Sequence, residues 1–194
     1  MTRPAVGAGL VGVGVAVVVI IGFALVFAVQ VLVFLLALPV GLLIGWYAIE
    51  RERAALATPT VPGGIRLGWL RVLGDGLVAG LMTGLALAVF YVLIRLLFLY
   101  LDNGFRAGGP PYSCASGPEC SYQRALDEPA LRAALEEAGV QDAAGYTAYF
   151  LEGQGIGGAA LLVLVLGGAL VGAAAHRVGS SGATPSTITP EGAR

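Results

Sequence analysis

The sequence predicts an all-α integral membrane bundle of four transmembrane helices, joined on the outer side by a partly helical, disulfide-closed loop. Three observations lead there. Of the 194 residues, 57% are hydrophobic and 12% charged, with a mean hydropathy of +0.85, whereas a soluble domain carries about a quarter charged residues. Long blocks of the chain have no charge at all. The arginines are also distributed unevenly between the segments that connect those blocks.

The first block, Ala5 to Ala48, has no ionisable group except Tyr47. A single helix of that length would measure about 66 Å, twice the roughly 30 Å of bilayer hydrocarbon, so the block must fold back into two spans. Gln30, its one strongly polar residue, marks the hairpin tip. The apolar stretch after Arg3 is too long for a signal peptide and no small-x-small cleavage site closes it, so it reads as an uncleaved anchor. With two later blocks, the spans fall at about 6–28, 31–48, 77–101 and 156–175. The membrane domain then occupies residues 1–178, its outer loop residues 102–155, and a Gly/Ser/Thr/Pro-rich disordered tail residues 179–194.

Orientation follows from arginine. Arg51, Arg53, Arg66 and Arg71 lie between spans two and three, Arg3 precedes the first span, and Arg177 and Arg194 follow the fourth. The long loop carries Arg106, Arg124 and Arg132 against eight acids. A multi-pass protein of the plasma membrane, both termini cytoplasmic and loop 102–155 outside, satisfies this pattern. All eleven basic residues are arginine, and with the abundant Ala, Gly, Val and Leu this suggests GC-rich bacterial coding.

The connecting pieces have their own signals. "GIRLGWLRVLGDG" (Gly64 to Gly76) reads as a juxtamembrane leader into span three. Trp46 and Tyr47 at one end, and Tyr146, Tyr149 and Phe150 at the other, suit interfacial belts. In the outer loop Cys114 and Cys120 stand amid Gly, Pro and Ser. Outside a membrane they read as a small disulfide loop, since a thiol oxidoreductase would use a closer pair and usually a second one. "LDEPALRAALEEAGV" predicts a short amphipathic helix with Asp127 as N-cap, Pro129 in the first turn and Gly139 at its stop. A further helix from about Gln141 leads into span four.

Chemical motifs are scarce. "GAGLVG" (Gly7 to Gly12) has the spacing of a dinucleotide loop, but six residues before it leave no room for the strand that motif needs. His176, the only histidine, has no Cys or acid nearby in sequence to make a metal site and suits a headgroup contact. No cofactor, metal or nucleic acid is expected, nor an enzyme. Small residues do recur at helical spacing: Gly76, Gly80, Gly84 and Ala88 in span three, Gly41 and Gly45 in span two, Gly168 and Gly172 in span four. Such spacing lets membrane helices approach closely, within one chain or between chains.

One charge sits inside a span. Arg95, in "YVLIRLLFLY", shares a face with Gly84 and Ala88 at 100° per residue, and so faces other helices about 9 Å below the end of its span. Its candidate partners are Glu152, Gln154, Gln30 and Asp102, with the Tyr91 ring as a cation–π neighbour. Arg95 either clamps the outer ends of the helices or binds an anionic headgroup or solute. Two functional classes follow. The first is an accessory or interaction subunit, or a homo-oligomeric structural membrane protein, whose partners are the bilayer and another membrane protein or itself. The alternative is a channel or transporter component in which Arg95 faces an anion. A helix count carries no function by itself.

Overall fold

A computed structural model describes residues 3–26, 30–56, 68–101 and 116–181, with side chains described at 4–19, 32–56, 68–101 and 116–178. The described residues form helices alone: α1 (Arg3–Val26), α2 (Gln30–Leu56), α3 (Trp69–Leu101), α4 (Pro118–Asp127), α5 (Pro129–Glu137) and α6 (Ala143–Ser181). Three of them are long and apolar enough to cross a membrane, over Leu32–Leu56, Trp69–Leu101 and Ala143–Val178, while the described apolar part of α1, Pro4–Val19, is shorter.

Local chemistry sets the ends. The carbonyl of Gly68 accepts from the N–H groups of Arg71 and Val72, both at 3.1 Å, which starts α3. Pro118 and Pro129 occupy first-turn positions of α4 and α5, where a missing N–H costs nothing. Gly139, at φ +70°, ends α5: Val140 N–H returns to Leu135 O at 2.9 Å and Gly139 N–H to Glu136 O at 3.1 Å, the paired bonds of a Schellman stop. Asp142 caps α6, its Oδ1 accepting from Gly145 N–H at 2.7 Å.

Several expected boundaries shift. The helices overrun the expected spans, because α2, α3 and α6 continue past their apolar parts into charged ends; α6 alone has 39 residues, about 58 Å. Trp69 to Gly76, expected as a leader, is the first part of α3. The cap of α5 is Glu128, not Asp127, and makes no side-chain capping bond; Asp127 instead closes α4, a helix the Gly, Pro and Ser around the cysteines had hidden. α6 runs to Ser181, so residues 179–181, expected in the tail, are helical. The hairpin tip, Asp102, Cys114 and residues 182–194 lie outside the described residues, apart from the backbone of Gln30 at the start of α2.

α6 is the centre of the bundle, packed on α2 and α3, and α1 lies against α3 and α2. Helix α1 runs parallel to α3: Ala8 packs with Ala79 in one buried cluster and Ala16 with Leu87 in the next, so both helices advance eight residues between clusters. Outward, Leu73, Leu77, Leu81, Leu85, Val89, Leu93 and Leu97 form one exposed stripe at four-residue spacing along α3. At one end α4 and α5 fold over the bundle, and Leu99, Ala125, Leu135 and Tyr146 make a separate small core beneath them.

Candidate functional site

Glycine determines how the helices meet. A Cβ at Gly41 or Gly45 would collide with the main-chain carbonyl oxygen of Val165 or Ala169 on α6, and one at Gly168 or Gly172 with that of Leu38 or Leu42 on α2. The two helices therefore touch backbone to backbone. On α3, a Cβ at Gly76, Gly80 or Gly84 would lie 2.9 Å from Ala173 Cβ, 2.6 Å from Ala169 Cβ and 2.8 Å from Leu162 Cδ1. All seven glycines singled out in the sequence thus face α6 or α2 of the same chain. Gly9 and Gly12 of "GAGLVG" likewise admit Met82 and Thr83.

Polar chemistry collects at the two ends of this close-packed core. At the capped end, half-buried Arg95 donates from Nε to Gln154 Oε1 at 3.2 Å, and its guanidinium lies 5.3 Å from the centre of the Phe150 ring. Tyr91, one turn before Arg95, is buried and meets Phe34 edge-on at 5.8 Å. Glu152 is exposed and lines the same cleft as Arg95 and Gln154, a space of about 740 Å³ between α6 and the cap. A second cleft of about 220 Å³, on the α4 side, is lined by Arg95 with Arg124, Ser121 and Glu128. The cap is tied down by Ser121, whose Oγ donates to Leu99 O at 3.1 Å. Cys120 is buried within α4, and no cysteine among the described residues is free.

The opposite end carries a denser network, in which acids join the arginines that set the expected orientation. Glu52, 1% exposed, pairs with Arg71. His176 Nε2 lies 2.9 Å from Glu50 Oε2, with the Trp46 ring edge-on at 5.2 Å. A bond to a carboxylate requires a proton on that nitrogen, so Arg53 Nη1, 3.5 Å from the same atom, does not donate to it simultaneously. Arg177 stacks on Trp69 at 4.1 Å, and Arg51 lies 5.8 Å from the Tyr47 ring. The signal was present in "ERER" (Glu50 to Arg53): at helical spacing these four residues point to several sides, and acids there can meet α3 and α6.

Among the described residues no three His, Cys, Asp or Glu side chains gather as a metal set. Compared with protein-family models, curated proteins and solved structures, the chain matches none.

Proposed function

We propose that this chain is a four-span membrane protein that presents a folded helical cap at the outer membrane surface as an interaction platform, acting as an accessory subunit of a membrane assembly or as a structural homo-oligomer. The observation that carries this reading is the division of labour in the fold. The small-residue faces are filled within the chain, whereas the α4–α5 cap has its own core and stands on the ends of α3 and α6.

The membrane part of the reading is supported by a shared register. Gln30 and Glu50 in α2, and Asp75 and Arg95 in α3, each stand twenty residues apart with no charge between them. Twenty residues rise about 30 Å, the thickness of bilayer hydrocarbon. In α6 the charge-free interval between Gln154 and His176 is similar, and its ends meet Arg95 on one level and Glu50 on the other. Arg95 then stands at the hydrocarbon edge, so a guanidinium is affordable there. For α1, the parallel advance with α3 supports a fourth crossing: Val26 stands ten positions past Ala16, and Arg95 eight positions past Leu87. Arginine distribution favours the capped end outside and the Glu50–His176 end in the cytoplasm of the cell.

On the outer side a Cys114–Cys120 bridge would close a small loop onto α4 and contribute about 2 kcal/mol in the chain-entropy model. Alkylation should reach neither cysteine until the unfolded protein is reduced.

The deciding experiment is the mass and composition of the protein drawn from its native membrane in mild detergent. A stoichiometric larger partner, or a homo-oligomer lost on replacing exposed cap residues such as Arg132 and Glu136 but not on replacing Leu81, supports the reading. A bare monomer sinks it.

A further inference from the structure

We infer that the seam between α3 and α6 binds one anionic phospholipid, its acyl chain in an open apolar groove and its phosphate at Arg95. The inference rests on the membrane reading above and adds a ligand to it.

The groove has a physical cause. Low on α6 the α3 glycines let the backbones close, but toward the capped end α6 itself supplies Gly155, Gly158 and Ala159, which offer at most a methyl group to fill the seam. Opposite them, Val89, Val92 and Leu93 of α3 form the second wall of a space of about 350 Å³. Gly155, Ala159, Val89 and Leu93 are all exposed, so the space opens outward, toward lipid in a membrane. Any acyl chain of the bilayer fits so apolar a lining.

The selectivity comes from the next turn. Arg95 lies three residues beyond Val92, and Gln154 directly precedes Gly155, so the apolar groove ends where the cleft of about 740 Å³ begins. Gln154 accepts from the Nε–H of Arg95 and fixes the head in place. By the register above this level is the hydrocarbon edge, where a phosphodiester sits. An apolar slot below a held guanidinium matches an anionic amphiphile, and a guanidinium binds phosphate oxygens in paired hydrogen bonds. Glu152 lines the same cleft and opposes the anion. Charge therefore enters with both signs, and each can be removed separately.

The test uses the full chain in mild detergent, titrated with phosphatidylglycerol, phosphatidylcholine or inorganic phosphate, with bound lipid read by native mass spectrometry. One phosphatidylglycerol per chain should be held about tenfold more tightly than phosphatidylcholine, as a charge-assisted contact provides. Arg95→Gln should abolish that preference, and Glu152→Gln should strengthen it. Ala159→Phe, which fills the groove and leaves Arg95 and Gln154 in place, should weaken both lipids. Equal binding of the two lipids, an unchanged preference in Arg95→Gln with helical content intact, or saturation by inorganic phosphate alone would each overturn the inference. Partition of the protein into the aqueous phase of a detergent separation would instead remove the membrane reading beneath it.

Discussion

Glu52 is almost wholly buried and its partner Arg71 is half in solvent, so the two members of this ion pair are not equivalent. Arg71→Ala strands a carboxylate that has no access to water, at a cost of about 3–5 kcal/mol. Glu52→Ala leaves a guanidinium that can turn outward and should cost about 1 kcal/mol. Unfolding titrations of both variants in micelles should show this asymmetry, and the double variant should recover much of what Arg71→Ala loses. Equal losses would mean that the pair acts as an ordinary surface bridge. At this scale the sequence was only partly legible. The 100° helical step indicates that Arg95 lies on the small-residue face, yet it does not select among its acceptors. Glu152 and Gln154 stand within about 3 Å of each other in height but differ by about 200° of rotation about α6, and only the crossing of α3 and α6 decides that Nε meets Gln154. That "ERER" could place an acid against a neighbouring helix was legible, but which acid was not, because nothing local distinguishes Glu52 from Glu50, which is exposed.

Between elements, the cost of adding one methyl group should depend on what the glycine faces. Gly45 meets a carbonyl oxygen of α6, which cannot move without the whole helix, whereas Gly14 has nothing within 4 Å. Gly45→Ala should therefore destabilise the bundle by about 1–3 kcal/mol, as overpacking does. Gly14→Ala should stay within about 1 kcal/mol of the parent, on the stabilising side, because alanine leaves the unfolded chain less conformational freedom to lose than glycine does. Thermal midpoints in one detergent compare the two, and a Gly45→Ala midpoint at or above the parent would contradict the backbone contact. The cap offers a local counterpart. Gly139 holds φ +70°, so Gly139→Ala should cost about 1–2 kcal/mol confined to α5, read as faster hydrogen exchange there with the long helices unchanged. Element identity followed closely from pattern where punctuation was strong, as at Pro129 and Gly139. It failed at α4, since a run rich in Gly, Pro and Ser reads as loop although Pro118 is a sound first residue for a helix. Boundaries of the long helices also escaped, because loss of hydropathy marks where a bilayer would end and not where a helix does.

For the whole molecule, composition sufficed to indicate helices apolar enough for a bilayer, since 57% hydrophobic and 12% charged residues depart from the balance of an average soluble domain. The number of crossings is a separate matter that depends on α1. If α1 crosses, its start and the end of α6 lie on one side and the cap on the other; if α1 lies along a surface, its start and the end of α6 are separated by three crossings. Single cysteines placed in a background of Cys114→Ser and Cys120→Ser distinguish these arrangements. With four crossings, Glu136→Cys on the cap should react with a membrane-impermeant maleimide in intact cells, while Thr2→Cys and Arg177→Cys should react only after the membrane is opened. Labelling of Thr2→Cys from outside with Arg177→Cys protected would leave three crossings and return α1 to the surface. The packing argues against that outcome. Ala8 and Ala16 are fully buried in clusters that advance in step along α3, and an interfacial helix has no reason to follow its neighbour through the core.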